Sequence, residues 1–321
     1  MAHAIHMDPR LERRLAEKRA ALDLQRPLPP AIIAKLYADL RVRLTYHFNA
    51  IEGNTLDLGE TQLVIAHGVT IGGHTLQEHL EAINHAAAYS FVLDLARREA
   101  VLDEAALLQL HVLITKDLVG TPGAYRTGAV FISGSEHRPP HHAQVAGLMH
   151  DWFAWLAEDG LAYPSIIRAA LAHEMLLAIH PFLDGNGRTA RLALNLQLMQ
   201  AGYPVTLLLQ GWRQTYIRAL EQGHHGQYRP LVNVVGRAVE AGLDLFLEAC
   251  DAVPHELQRP LREVAEACAV DASYMGWLLR AGRVAGTKRG GRWYTSEAAV
   301  RRYQTEVAAG EVPTGRPRRK G

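Results

Sequence analysis

The stretch that decides the fold runs from His180 to Arg191 and reads His-Pro-Phe-Leu-Asp-Gly-Asn-Gly-Arg-Thr-Ala-Arg. Its proline follows an apolar helical pattern and predicts that this helix ends at His180. Gly185 and Gly187 permit a tight turn, after which a second helix is expected to begin near Arg188. The sequence therefore predicts two helices joined by a glycine-rich loop, whose backbone N–H groups converge on one point and form an anion site.

The side chains of this motif, His180–Arg191, fit the chemistry of phosphate groups. Arg188 and Arg191 lie one helical turn apart, so both guanidinium groups can reach the same phosphate chain. Asp184 is the one carboxylate beside them, which suffices for Mg²⁺ because that ion also takes phosphate oxygens as ligands. His180 can accept a proton near pH 7. These groups indicate phosphoryl or nucleotidyl transfer to a hydroxyl; the alternative is a plain turn with solvated arginines.

Apolar periodicity on both sides of the motif predicts a mainly α-helical body. The exception is the stretch Val130-Phe131-Ile132-Ser133, which lies between glycines and predicts a small β-hairpin. Helices are expected at about 59–67, 76–100, 103–117, 142–158, 164–180, 188–201, 211–222 and 230–250. We expect an N-terminal helical region (1–100), a core (101–250), a small module (255–305) and a basic tail (306–321) that is disordered.

Composition excludes several classes of protein. The 321 residues are 48% hydrophobic and 21% charged, which excludes wholesale disorder. No apolar run approaches the ~20 residues of a membrane span, and the N-terminus has no apolar segment typical of a signal peptide. Two cysteines form no metal or redox spacing. We therefore expect a cytoplasmic protein with no membrane partner.

Charge is distributed unevenly along the chain. Residues 273–321 hold eleven Lys and Arg against three acidic residues, a net charge of +8, so the remaining residues sum to −7. The pattern from Leu261 to Tyr303 predicts two helices, a hairpin and a last helix, and it resembles excisionase-like winged helices. Lys288, Arg289 and Arg292 would bind DNA phosphates there. The alternative is a basic packing or dimerisation module.

The motif resembles the signature of the Fic family of protein AMP-transferases, His-Pro-Phe-x-Asp-Gly-Asn-Gly-Arg-x-x-Arg, at every fixed position. With its surroundings, the resemblance covers roughly residues 30–245. It implies a helical bundle with a β-hairpin flap. It also implies transfer of AMP from ATP to a Tyr, Thr or Ser hydroxyl of a target protein, with Mg²⁺ or Mn²⁺ as the metal.

The resemblance also implies roles for individual residues. His180 would deprotonate the target hydroxyl, Asp184 would hold the metal, and Arg188 and Arg191 would bind the β- and γ-phosphates. The flap is Val130, Phe131, Ile132 and Ser133, which would hold the target by strand addition. The anion hole would be formed by Gly185, Asn186 and Gly187, and the adenine contacts by Tyr216 and His224.

A second motif, the inhibitory segment Thr45–Asn54, resembles the inhibitory helix of self-restrained members of the family. The resemblance implies that Glu52 pairs with Arg191 and blocks the γ-phosphate position. Phe48 stands where the family has Ser or Thr. A helix end with a solvated glutamate is the alternative.

Two rival functions remain open from the sequence. One is a DNA-binding regulator whose Fic core senses nucleotide without transferring it. The other is a Fic enzyme that uses another nucleotide or removes AMP. The target protein and the oligomeric state, including a homodimer, are left open.

Overall fold

The computed structural model describes residues 5–26, 28, 30–251, 259–280, 283–284, 286–289 and 291–308. They form two compact units, residues 1–247 and 248–321. The first unit consists of α-helices and short 3₁₀ turns in its described part. The α-helices are α1 (Pro9–Asp23), α2 (Pro30–Glu52), α3 (Leu58–His67), α4 (Leu76–Arg97), α5 (Glu104–Thr115), α6 (Val145–Ala157), α7 (Ser165–Ile179), α8 (Asn186–Gln200), α9 (Arg213–His224) and α10 (Arg229–Asp251).

Helix α8 lies at the centre of the first unit. It packs against α7, α4, α5 and α2, which shield it from solvent over most of its length. Leu192, Leu196 and Leu198 are completely buried, and even its polar Asn195 is held by backbone groups of Arg191 and Thr206. The motif therefore lies at the N-terminus of a helix that is packed on several sides. This packing fixes the position of the motif's side chains.

Local capping sets the ends of the helices around α8. Asp57 begins α3 and Thr75 begins α4, each in a reciprocal capping box with the glutamate three residues later. Asp103 caps α5 through the N–H of Ala106. The C-terminus of α2 has a different support, because Arg213 Nε donates to the carbonyl of Ile51 at 2.7 Å. Polar contacts thus fix where α2 ends.

The hairpin predicted at Val130–Ser133 is wrong in detail, since residues 123–140 contain no paired strand. The flap (Val130–Ser133) alternates half-buried and exposed residues, as a strand does, and ends in a turn closed by Ser135 N–H on the carbonyl of Ile132. At the base of this loop the guanidinium of Arg126 donates to the carbonyls of Gly128 and Pro140, so these two groups are satisfied without a facing strand.

The second unit combines helices with a small sheet. Strands β1 (Arg259–Pro260), β2 (Gly286–Arg289) and β3 (Arg292–Thr295) form an antiparallel sheet in the order β1-β3-β2. Arg289 pairs with Arg292 at the turn, where the sequence predicts a hairpin. The core holds Val264, Met275, Leu278, Val300 and Tyr303. The helices are α11 (Leu261–Ala267), α12 (Ala272–Arg280) and α13 (Glu297–Ala308).

Of the helices in the described ranges, none has both the length and the apolar character that crossing a bilayer requires.

Candidate active site

The motif loop begins with a backbone conformation that few non-glycine residues adopt. His180 caps α7 in the left-handed region, with φ of 51°, and its N–H donates to the carbonyl of Leu176 at 3.0 Å. Gly185 takes φ of 78° directly before α8. The left-handed conformation of His180 costs on the order of 1 kcal/mol, and the surrounding contacts offset this cost. These two turns bring the end of α7 beside the start of α8.

Reciprocal hydrogen bonds brace the loop from inside. Asn186 Oδ1 accepts from the N–H of Phe182, and Asn186 Nδ2 donates to the Phe182 carbonyl, both at 2.9 Å. The Asn186 side chain is therefore used for the loop itself. The first backbone bond of α8 runs from Thr189 to Gly185, so the N–H groups of Asn186, Gly187 and Arg188 precede the helical ladder. These three N–H groups have no acceptor within the helix and can donate to a bound anion.

His111, which sequence reasoning missed, supports the loop from α5. Its ring stacks on Phe182 with centroids 3.7 Å apart, and its Nε2 donates to the Asp184 carbonyl at 3.0 Å. The N–H of Gly123 donates to Nδ1, which fixes this tautomer. Burial lowers the pKa of His111, so the ring is neutral at pH 7. A Cβ at Gly185 would lie 2.8 Å from Thr115 Cγ2, so glycine is required there.

Arg126 is a second residue that the sequence did not reveal. It is buried, and its Nε donates to the carbonyl of His180 at 2.8 Å. Its backbone N–H donates to the Pro181 carbonyl at 2.9 Å. The same guanidinium holds the base of the flap, as described above. The Arg126 side chain thus connects the flap with His180, the residue that the resemblance identifies as the general base.

The imidazole of His180 is mostly buried. Burial lowers its pKa to about 4, so it is neutral near pH 7. Nδ1 lies 3.4 Å from the carbonyl of Leu177, which favours a proton on Nδ1 and leaves Nε2 as the acceptor. The ring is therefore in the protonation state that a general base requires.

His180 faces a small cleft shared with other predicted site residues. The cleft has a volume of about 130 Å³, below the ~300–1,000 Å³ of typical ligand sites. Its lining brings together residues from α2, the flap, the motif and α9. They are Glu52, Ile132, Ser133, Gly134, Ser135, Leu177, His180, Gly187, Arg191, Tyr216, Ile217, Leu220, Glu221 and His224.

Glu52 lies in this cleft against Arg191. Arg191 Nη2 donates to Glu52 Oε1 at 2.6 Å and to the Phe48 carbonyl at 2.9 Å. Burial opposes ionisation of Glu52, but Arg191, Arg188 and Arg213 outweigh it and hold the carboxyl pKa below its usual value. A Cβ at Gly187 would overlap Glu52 Oε1. The carboxylate therefore rests directly on the backbone at the start of α8.

Phe48, the departure from the family pattern, is fully packed. Its ring meets His85 edge to face at 5.4 Å, and the Arg191 guanidinium lies 5.3 Å from its centroid. Thr45 Oγ1 contacts His85 Nδ1 at 2.9 Å beneath it. An aromatic ring thus holds the inhibitory segment through packing and a cation–π contact, at the position where the family pattern has Ser or Thr.

Arg188 lies at the other end of the loop between two acidic side chains. Its Nη1 is 3.3 Å from Glu81 Oε1, and its Nη2 is 3.5 Å from Asp184 Oδ2. The Arg188 side chain is 3% exposed, whereas that of Asp184 is 54% exposed. Asp184 can therefore turn toward a ligand. Glu81 belongs to α4, so the motif gives no indication that it contacts Arg188.

Tyr216 and His224, the predicted adenine contacts, are tied to neighbouring polar groups. His173 Nδ1 donates to the Ala190 carbonyl, so its Nε2 accepts from the Tyr216 hydroxyl at 2.8 Å. Burial raises the pKa of Tyr216 to about 12, so the hydroxyl keeps its proton. His224 Nδ1 is 2.9 Å from Glu174 Oε1. Its ring stacks on His137, beyond the flap, with centroids 4.1 Å apart.

The flap residues differ in exposure. Phe131 is 76% exposed and carries the Arg138 guanidinium at 5.6 Å from its centroid. Ile132 and Ser133 line the cleft. The backbone of the flap beside His180 is thus free of strand pairing within the described ranges.

The predicted DNA contacts lie in the second unit. Lys288 and Arg289 belong to β2, but their side chains fall outside the described residues. Arg292 begins β3 and is exposed. Residues 309–321 of the basic tail also lie outside the described part.

The donor set at Asp184 fits a cation that arrives with phosphate. Among the described residues, no group of three or more His, Cys, Asp or Glu side chains forms a metal cage. One exposed carboxylate beside the start of α8 matches the few protein ligands that Mg²⁺ needs when phosphate supplies others. The arrangement suits binding of a polyphosphate anion next to a neutral imidazole.

Comparison with known proteins gives consistent results. The model of the Fic/DOC family matches residues 101–198. "Protein adenylyltransferase Fic" of Culex quinquefasciatus is 33% identical over 254 residues, 78% of this chain and 50% of that protein. "Protein adenylyltransferase fic-1" of Caenorhabditis briggsae is 36% identical over 209 residues, 64% of this chain and 41% of that protein. The chain thus spans about half the length of the curated relatives it matches.

A solved structure is similar as well. Fic-1 (aa134–508) from C. elegans superposes with a TM-score of 0.67 at 31% identity. The match covers 74% of this chain and 72% of that one.

Proposed function

Since the chain belongs to the Fic/DOC family, we propose that it is a protein adenylyltransferase that moves AMP from ATP to a Tyr, Thr or Ser hydroxyl of a target protein. One observation carries the proposal above all. A neutral His180 lies in one cleft with Arg191 and the N-terminus of α8, and Asp184 and Arg188 flank that terminus. Base, anion site and carboxylate are the parts that nucleotidyl transfer to a hydroxyl needs.

In this proposal the chain's own groups act as follows. His180 Nε2 takes the proton of the target hydroxyl while that oxygen bonds to the α-phosphorus of ATP. The bond from the α-phosphorus to the bridging oxygen breaks, and pyrophosphate leaves. The N–H groups at the start of α8 face the developing charge, and Arg188 and Arg191 hold the β- and γ-phosphates.

Mg²⁺ bound with ATP would neutralise phosphate charge, and Asp184 is the residue that would hold it. The flap would add the target segment as a strand, because its backbone in the described structure has no paired neighbour. Main-chain pairing would place the acceptor hydroxyl without reading much of the target sequence.

Regulation forms part of the same proposal. Glu52 occupies Arg191 and fills space beside Gly187, so ATP would place its γ-phosphate on Arg191 only after Glu52 has moved aside. We expect low basal transfer, because without that contact the α-phosphate lacks the alignment for in-line attack.

A transfer assay tests the function. The full chain carrying Glu52→Gly is incubated in cell lysate with Mg²⁺ and ATP labelled at the α-phosphate, and His180→Ala in the same background is the matched control. Label on protein that requires His180, and that is lost when the label is at the γ-phosphate, supports AMP transfer. Absence of α-label with ATP refutes it; label only from GTP, CTP or UTP would assign another nucleotide.

A second proposal concerns the C-terminal unit, on the ground of its charge. Residues 273–321 carry +8, and Arg292 and Arg301 are exposed in the described part. We expect the full chain to bind duplex DNA with an affinity that falls steeply as salt rises. Fluorescence anisotropy of wild type and Arg292→Glu tests this; binding that is equal for both, or absent at low salt, refutes it.

A further inference from the structure

Arg188 has a counterion that no part of the motif supplies. Glu81, from α4, places Oε1 3.3 Å from Arg188 Nη1, and the side chains are 11% and 3% exposed respectively. Asp184 also approaches Arg188, at 3.5 Å, but it is more than half exposed. If Asp184 binds the metal as proposed, Glu81 would be the acid that stays with Arg188 when nucleotide is bound.

Glu81 is itself fixed in place. Its Oε2 accepts from Asn54 Nδ2 at 2.8 Å, and its Oε1 accepts from Gln77 Nε2 at 3.2 Å. The Asn54 amide also donates to the carbonyl of Glu78 at 3.0 Å, which attaches it to the first turn of α4. Among the described residues, Arg188 is the charged partner that this buried carboxylate contacts, so the position of the carboxylate helps to set where the guanidinium lies.

Arg188 also retains unused donors. Nε and Nη1 are buried and have no hydrogen-bond acceptor with suitable geometry among the described residues. Buried donors without an acceptor are unfavourable, and an anionic oxygen would satisfy them. Nη1 thus meets Glu81 by charge alone, and the guanidinium keeps hydrogen-bonding capacity for an anionic oxygen.

We propose that Glu81 is a positioning residue that orients Arg188 toward the β-phosphate, and that Asn54 ties this orientation to the inhibitory segment. The inference rests on the proposed function, which gives Arg188 its ligand. Glu52 and Asn54 lie on either side of Gly53. One short stretch of chain therefore contacts Arg191 directly and Arg188 through Glu81.

The test uses ADP and AMP, which differ by the β-phosphate. Their affinities are measured by calorimetry with Mg²⁺ on the full chain carrying Glu52→Gly, so that the cleft is open. Adding Glu81→Ala should weaken ADP binding about 10- to 100-fold, the loss expected for charge-assisted hydrogen bonds, and change AMP binding less than about 2-fold. Glu81→Gln keeps one oxygen and places an amide nitrogen at the other position. Its ADP affinity should lie between those of the Glu52→Gly chain and of the chain that also carries Glu81→Ala. Asn54→Ala should weaken ADP selectively by a smaller factor.

Gln77→Ala is the matched control, because Gln77 touches Glu81 from the surface without touching Arg188. It should leave the ratio of ADP to AMP affinity unchanged. An unchanged ratio in Glu81→Ala, an equal loss for both nucleotides, or a gain in ADP affinity would overturn the inference. The last result would mean that Glu81 competes with phosphate for Arg188.

If Glu81→Ala does not fold, as thermal unfolding would show, the isosteric Glu81→Gln decides. The outcome is separable from that of the proposed function. A chain that transfers no AMP yet shows the shifted ratio refutes adenylyl transfer and leaves the positioning role standing.

Discussion

Removing the carboxylate of Glu52 should release the site and weaken the fold at the same time. Arg191, 2% exposed, loses the partner that lies 2.6 Å from its Nη2 and keeps its contact with the Phe48 carbonyl. Breaking a buried pair costs about 3–5 kcal/mol and an exposed one about 0–1. Since the Glu52 side chain is 40% exposed, we expect a loss of about 2 kcal/mol. At ~2–4 °C per kcal/mol for a unit of this size, Tm should fall by about 4–8 °C.

Activity should move in the opposite direction. Arg191, once free, can make a charge-assisted hydrogen bond to the γ-phosphate, worth about 1.5–3 kcal/mol. Single-turnover labelling with Glu52→Gly should therefore be roughly 10- to 100-fold faster than with wild type at equal ATP. ATP should also raise the Tm of the variant more than that of wild type.

Three control variants separate the causes. Glu52→Ala removes the carboxylate without the backbone freedom of glycine and should release the site equally. Glu240→Ala breaks the 2.7 Å contact with Arg14 between α1 and α10, and it should lower Tm without changing transfer. Glu52→Gly with Arg191→Ala should return to a low rate. Equal rates for wild type and Glu52→Gly would refute the reasoning, and a fast double variant would refute the role of Arg191.

Three further outcomes are expected. Because His180 has a pKa near 4, transfer by Glu52→Gly should be independent of this group between pH 6 and 8 and fall as the pH drops through about 4; a pH–rate profile with an inflection near 6.5 would contradict this. Phe48→Ser should lower Tm by removing a buried ring, at about 3–5 kcal/mol, and increase basal transfer instead of strengthening inhibition; labelling and thermal unfolding of one sample check both. Arg126→Ala should lower both Tm and kcat, and Arg126→Lys should rescue neither, because an ammonium cannot reach the carbonyls of His180 and Pro140 together; rescue by Lys would disprove the bridging role.

Local signals were sufficient for most of the helices. The apolar period predicts α7, α8 and α10 within a few residues of where they lie, and Pro181 and the glycines place the loop between α7 and α8. Membership of the Fic/DOC family can also be inferred from the short motif, because the chemistry of the family is concentrated in those twelve consecutive residues.

The residues that support the site could not be found in this way. Glu81, His111 and Arg126 act on the motif from other helices and loops, and a single sequence gives no signal for contacts between distant segments. The flap shows the reverse error. Its short apolar run between glycines predicts a hairpin, but pairing also needs a facing strand, which residues 123–140 do not supply.

In the proposed function, the contact of Glu52 with Gly187 would make the carboxylate a competitor of ATP for the same volume. A tethered anion of this kind has an effective concentration, set by the geometry of α2, against which free ATP must compete. Such competition raises the nucleotide concentration needed for half-saturation without lowering the occupancy reached at excess nucleotide. The inhibitory segment would therefore act as a threshold on nucleotide supply, and the output of the protein would rise with the ATP level of its surroundings.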